Sequence, residues 1–117
     1  MQQITGDNLR GHLETLILSA LKRGEAHGFE ILKRLESAGS GALALKEGSL
    51  YPALYRLEAA GLVKAAWEND TPSSHARKGP RRRIYRLTPK GGKRLAQAKQ
   101  DWDLFVRVIG GILGAAT

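Results

Sequence analysis

The sequence predicts a mainly α-helical chain that carries one small β-hairpin. Apolar residues recur at spacings of three and four up to Gly61, the period then switches to alternation in two short segments around 63–67 and 83–87, and helical spacing returns after Thr88. A length of 117 residues suits a single domain with one modest core.

Leu9, Leu13, Leu16, Ile17, Ala20 and Leu21 share one face of a first helix, which Lys22-Arg23-Gly24 brings to a stop. In HGFEILKRLESAGSG, Gly28, Ile31, Leu32 and Leu35 form the apolar face of a shorter second helix, ending in the Gly/Ser cluster from Gly39 to Gly41. The following ALALKE reads as a few extended residues that pair with a later strand. GSLYPALYRLEAAGL, from Gly48 to Leu62, is the third helix: Leu50, Leu54 and Leu57 form a stripe and Gly61 is the stop. With Ser49 as N-cap, Pro52 falls in the first turn, where its missing N–H has no intrahelical partner to lose. Three short helices joined by brief turns make a compact helical unit.

After Gly61, Val63, Ala65 and Trp67 alternate to one side of a strand, and Arg83-Ile84-Tyr85-Arg86-Leu87 forms a second. Between them lies a polar loop of about 13 residues, long for a hairpin tip. Thr88 is the N-cap and Pro89 the first residue of a last helix. Along it Leu95, Ala98, Trp102, Phe105, Ile109 and Ile112 alternate spacings of three and four, a coiled-coil seam. Gly110, Gly111 and Gly114 weaken its end by roughly 1 kcal/mol each relative to Ala, so the last turn is expected to fray unless it is packed.

Composition narrows the function. Apolar residues at 42% and charged residues at 26% are ordinary for a folded globular chain. Nineteen Lys and Arg against 11 Asp and Glu give a net charge of +8, with a pI near 10.2, so a polyanion is the natural partner, nucleic acid before membrane. With no cysteine, disulfides, thiolate chemistry and Cys-based zinc sites are excluded. His12, His27 and His75 are scattered without metal-ligand spacing, so no catalytic residue, metal or cofactor is expected. MQQITGDNLRG has no apolar signal-peptide segment, and Leu104 to Ala116 is too short and too interrupted, by Arg107, to span a membrane. The expected location is the cytoplasm.

Three helices followed by a hairpin with a basic tip is the chain order of a winged helix-turn-helix, in which the third helix enters the major groove and the wing lies along the backbone or reaches the minor groove. With its leucines turned inward, the third helix presents Ser49, Pro52, Arg56 and Ala59 on the opposite side, with Tyr51 and Tyr55 on the flank. These are groups able to bond phosphates, stack on sugars or reach base edges. Two readings stay open: the tyrosines face DNA or pad the helix-hairpin junction, and Arg56 reaches DNA or pairs with a nearby Glu. His27, opening the second helix, is a cap or a phosphate contact. In the hairpin Arg77, Lys78, Arg81, Arg82, Arg83 and Arg86 place six positive charges within ten residues. At a wing they are phosphate contacts, although strand alternation must turn some of them toward the body. A basic RNA-binding or ribosome-associated protein is the alternative that charge and wing fit equally well.

GSLYPALYRLEAAGLVKAAW followed by RRRIYRLTPKG resembles the PadR family of bacterial transcriptional regulators. A motif of the form G-[ST]-x-Y-P-x-L-x-R-L-E-x-x-G-L is matched by Gly48, Ser49, Tyr51, Pro52, Leu54, Arg56, Leu57, Glu58, Gly61 and Leu62. A second, R-R-x-Y-x-L-T-x-x-G, is matched by Arg82, Arg83, Tyr85, Leu87, Thr88 and Gly91. HGFEILKRL is similar to the family's second helix. The resemblance covers roughly residues 9 to 108 and implies a sequence-specific regulator, usually a repressor, that binds double-stranded promoter DNA as a homodimer. It implies a DNA-binding domain at 9–88, a C-terminal dimerisation helix at 89–115 and a flexible N-terminus at 1–8. Dimerisation through the last helix against the partner's first helix would use Leu95, Ala98, Trp102, Phe105 and Ile109, with Leu9 and Leu13. Some relatives bind aromatic or drug-like effectors between subunits, and Trp102 with Phe105 is the matching place here.

Overall fold

The computed structural model describes the backbone of residues 4–5 and, with side chains, residues 11–68 and 82–114. In chain order the elements are β1 (Ile4–Thr5), α1 (Leu13–Lys22), β2 (Ala26–His27), α2 (Gly28–Ala38), β3 (Leu43–Ala44), α3 (Glu47–Ala59), β4 (Val63–Trp67), β5 (Arg83–Leu87) and α4 (Pro89–Ile112). The expected class, mainly helical with a small hairpin, is the observed one. Leu9 and the loop at 69–81 lie outside the described residues.

The core forms around α1, which packs against α2, α3 and α4. Ile17, Leu18, Ala20 and Leu21 are all buried, so α1 is covered on more than the single face its spacing predicts, and Leu18 joins the core while Leu13 and Leu16 sit half-buried at its margin. A helix surrounded by three others needs apolar residues around much of its circumference. Ile31 and Leu35 from α2, and Leu50, Ala53, Leu54 and Leu57 from α3, close the same core, with Val63, Tyr85 and Leu95 sealing it from the hairpin and α4.

The hairpin is antiparallel, with Val63 opposite Leu87 and Trp67 opposite Arg83. Ala26–His27 adds a third strand on the other edge of β5, giving the order β2-β5-β4. The ALALKE segment pairs with an earlier strand rather than a later one: Leu43 and Ala44 lie parallel to Ile4 and Thr5, inside the stretch expected to be a flexible N-terminus. β5 is flanked on both sides already, so the later sheet has no place beside it for β3.

The start of α3 also differs from expectation. The helix begins at Glu47, with Lys46 as an extended N-cap that contributes no side-chain bond. Ser49 is therefore the third helical residue and Pro52 the sixth, so Pro52 sits inside the helix and withholds an N–H from the Gly48 carbonyl. The other end matches the sequence: Gly61 has φ +75°, its N–H reaches the Glu58 carbonyl at 3.0 Å and the Leu62 N–H reaches the Leu57 carbonyl at 2.9 Å, the paired bonds of a Schellman stop. Thr88 caps α4 as expected, accepting from the Gly91 N–H at 3.0 Å. Helix α4 then runs 24 residues, through Gly110 and Gly111, and turns off at Gly114 with φ +72°.

Candidate nucleic-acid interface

Helix α3 is anchored by four fully or almost fully buried residues, and its opposite side is left to solvent. Tyr51, Pro52, Tyr55, Arg56 and Ala59 are exposed there, with Ser49 half-buried beside them. The two tyrosines differ. Tyr55 is 74% exposed, whereas Tyr51, at 44%, lays its phenol over Gly28, so closely that a β-carbon on Gly28 would overlap the ring. The first residue of α2 must be small for Tyr51 to lie there, so Tyr51 both packs the α2–α3 junction and presents an edge outward. Arg56 bonds Glu14 of α1, Nε to Oε1 at 3.1 Å, with both side chains well exposed. An exposed pair of this kind contributes at most about 1 kcal/mol and is readily exchanged for a phosphate.

The root of the wing lies against the start of α2. His27 is the N-cap of α2, its Nδ1 accepting from the Glu30 N–H at 3.2 Å, and its Nε2 stands 2.9 Å from an Arg82 guanidinium nitrogen. The cap assignment for His27 is thus observed, and β2 places the ring on the same side of the sheet as Arg82 because His27 pairs with Ile84. Arg82 is exposed. Arg83 points the other way and bonds Glu58 of α3 at 2.8 Å, so the arginine run is divided by strand alternation. Lys64 and Arg86 are exposed directly opposite each other in the hairpin, where like charges repel. Arg77, Lys78 and Arg81 lie outside the described residues. Tyr85 is buried beneath this layer, and burial pushes its hydroxyl pKa above 10.0, partly offset by the nearby Arg83 guanidinium.

Two basic residues that the motifs did not single out belong to this surface. Lys46, the exposed N-cap of α3, and Lys64 of β4 both bring positive charge to the α3 and wing region. No periodicity marks either one; only the position of the helix start and the strand pairing show where they stand.

Helix α4 carries the remaining expected residues. Leu95 is buried in the core of its own chain and Ala98 is half-buried, so the open part of the expected seam begins at Trp102. Trp102 stacks on Phe105, with centroids 5.7 Å apart, and meets the His12 ring in a T-shaped contact with centroids 5.3 Å apart. Leu104, Val106, Val108 and Leu113 are exposed as well as Trp102, Phe105, Ile109 and Ile112, so the apolar surface is wider than a two-residue seam. Two shallow clefts run along the outer side of α2, lined by residues such as Arg23, Lys33 and Ser37, and neither includes Trp102 or Phe105. Among the described residues no His, Cys, Asp and Glu group has the arrangement to hold a metal, and no helix is long and apolar enough to cross a membrane.

Comparison with known proteins agrees with this geometry. The family model described as "Transcriptional regulator PadR-like family" matches residues 17–97. A transcriptional regulator from Clostridium thermocellum is 35% identical, covers 90% of this chain and 96% of its own, and superposes with a TM-score of 0.77. A PadR family regulator from Eggerthella lenta is 31% identical over 92% of this chain and 86% of its own, with a TM-score of 0.75. A PadR family regulator from Clostridium difficile is 33% identical over 88% and 99%, with a TM-score of 0.72.

Proposed function

The chain belongs to the PadR-like family of transcriptional regulators, and from that premise we propose that it is a homodimeric repressor that binds a roughly palindromic promoter operator in the cytoplasm. The family is one of DNA-binding transcription regulators rather than enzymes. The observation that carries the reading is the exposed side of α3, where Tyr51, Pro52, Tyr55 and Arg56 stand clear of the core beside a wing root bearing Arg82.

In this reading α3 enters the major groove with Ser49, Tyr51, Pro52, Tyr55 and Arg56 toward the duplex. Arg56 exchanges Glu14 for a phosphate or a guanine edge, and the wing follows the backbone with Arg77, Lys78, Arg81 and Arg82. His27 holds the start of α2 against the wing root and lies near enough to Arg82 to share a phosphate with it. Two protomers join through α4, by Trp102, Phe105 and Ile109 with Leu13 of the first helix and with Leu9, and set half-sites about one turn, ~34 Å, apart. Repression follows from occlusion of polymerase. An aromatic or drug-like effector stacking on Trp102 and Phe105 between the subunits would relieve it by changing the angle between the two DNA-binding heads.

Affinity for the duplex upstream of the protein's own gene, against random duplex and structured RNA at two salt concentrations, tests the reading. The upstream duplex is expected to bind tightest at both salts. Equal affinity for random duplex removes the operator, and preference for RNA replaces the reading with the RNA-binding alternative.

A further inference from the structure

Arg82 and Arg83 are adjacent in sequence and opposite in surroundings. Arg82 is exposed on the side of His27, whereas Arg83 is turned toward α3. There its NH2 donates to Glu58 Oε1 at 2.8 Å, with the two side chains 36% and 33% exposed. The same guanidinium lies over the indole of Trp67, its central carbon 5.3 Å from the ring centroid, and Trp67 is the residue paired with Arg83 across the hairpin. One guanidinium is therefore carried by β5, placed over the indole of Trp67 on β4 and bonded to the last full turn of α3. A guanidinium can donate to a carboxylate while its cationic centre lies over an indole, and a lysine ammonium lacks that broad planar fork.

The consequence concerns the wing as a whole. Val63 and Tyr85 hold the base of the hairpin in the core, while Trp67, at the end leading into the loop, is largely exposed. The Arg83–Glu58 bond ties that outer end to α3. Glu58 also offsets the charge of Arg83, and with the two side chains only 36% and 33% exposed this pair is less open to exchange for a phosphate than the Arg56–Glu14 pair. Resting on the DNA-binding reading above, we propose that Arg83 is a positioning residue and not a phosphate contact: with Glu58 and Trp67 it sets the distance and angle between α3 and the wing, and thereby the spacing of groove and wing contacts that the protein accepts on a duplex.

Glu58→Gln separates this from electrostatics. The change keeps the shape of the side chain and removes one negative charge from the surface, so charge alone predicts tighter binding to every duplex. A positioning role predicts the reverse for the specific site. The preference for the upstream duplex over random duplex is expected to fall about tenfold or more, random-duplex affinity to hold or rise, and the hydroxyl-radical footprint to lose its wing protections while keeping those of the major groove. Arg83→Lys, which keeps the charge, is expected to lose the same preference. The salt slope gives an independent readout: Arg82→Ala is expected to lower it by about one unit and Arg83→Gln to leave it in place.

Thermal unfolding checks that each full-length variant is folded at the assay temperature, and where Glu58→Gln is not, Arg83→Lys carries the same comparison. Wild-type protein with no preference for the upstream duplex overturns the DNA-binding reading and this role with it. Wild-type protein that prefers the upstream duplex, with Glu58→Gln and Arg83→Lys matching its preference and footprint, overturns the positioning role alone. So does a salt slope that drops by one in Arg83→Gln.

Discussion

Gly91 packs its α-carbon on the carbonyl oxygen of Leu62, in a space that a β-carbon would fill. This contact lies at the centre of a joint between the end of α3 and the start of α4. The Thr88 hydroxyl donates to the Gly61 carbonyl at 2.7 Å, with the Leu62 carbonyl at 3.0 Å, and Lys90 Nζ donates to the Ala60 carbonyl at 2.9 Å. The carbonyls of Ala60, Gly61 and Leu62, just past the last residue of α3, are thus bonded by the cap and first turn of α4. Gly91→Ala forces a methyl group into backbone, which can relax only by separating the two helices, and is expected to cost about 1–3 kcal/mol. Urea unfolding would register this as a lower midpoint at unchanged slope, and a midpoint equal to wild type would mean that the joint is loose.

Elements marked by local chemistry are legible in the sequence. Gly61, Thr88 and Pro89 announce a stop and a start within a few residues, and the leucine stripe of α3 and the hairpin alternation are likewise local patterns. What was not legible depends on partners distant in sequence. Ser49 looks like an N-cap because capping normally shows in the side chain, yet α3 starts from Lys46, whose side chain makes no cap. Ala26–His27 is too short to carry a period and becomes a strand only because β5 has a free edge. Arg34 reads as an ordinary surface charge of α2, but its guanidinium binds the carbonyls of Ala20 and Gly24 at 3.1 and 2.7 Å and so caps the end of α1. At the site, the sequence named the exposed residues of α3 and could not say which arginines of the wing face inward, since Arg83 and Glu58 lie 25 residues apart.

Tyr85 makes stability depend on alkaline pH. Burial raises its hydroxyl pKa above 10.0 in the folded chain, while the unfolded chain keeps the ordinary value of about 10. As pH rises past about 10 the unfolded state releases this proton first, so the folded state loses ground; below that pH the contribution of the neutral phenol is complete. Tyr85→Phe keeps the ring in the core and removes the proton. Its stability, measured by urea unfolding between about pH 9 and 11.5, is expected to fall less steeply than that of wild type. Parallel curves would show that the buried hydroxyl is as easily ionised as a free one.

His27 faces two donors with a ring that, when neutral, accepts through only one nitrogen. The Glu30 N–H approaches Nδ1 at 3.2 Å and the Arg82 guanidinium approaches Nε2 at 2.9 Å, so the cap and the wing contact draw on opposite tautomers. His27→Asn preserves a side-chain cap and shortens the reach toward Arg82, whereas His27→Ala removes both. The alanine variant is expected to lose about 1 kcal/mol relative to the asparagine variant, the ordinary worth of an N-cap. Equal unfolding midpoints for the two would show that the α2 start is held by Tyr51 and the core alone.

Helix α4 predicts its own partner. Beyond Ala98 it leaves Trp102, Leu104, Phe105, Val106, Val108, Ile109, Ile112 and Leu113 exposed along a rod, and a contiguous apolar surface of this kind marks an association site. Trp102 and Phe105 are already held by stacking on each other and by the T-shaped contact of Trp102 with His12, so a partner meets a preformed face and little side-chain freedom is lost on binding. Light scattering is expected to give a dimer at micromolar concentration. Phe105→Glu would bury a carboxylate in that face at a cost of several kcal/mol, enough to yield monomers at the same concentration. Because the α3 residues proposed to contact DNA are remote in sequence from the change, the variant is expected to keep its affinity for a single half-site and lose the additional affinity of a full palindrome. A monomeric wild type, or a Phe105→Glu protein that remains dimeric, would remove α4 from the interface and with it the paired-groove geometry.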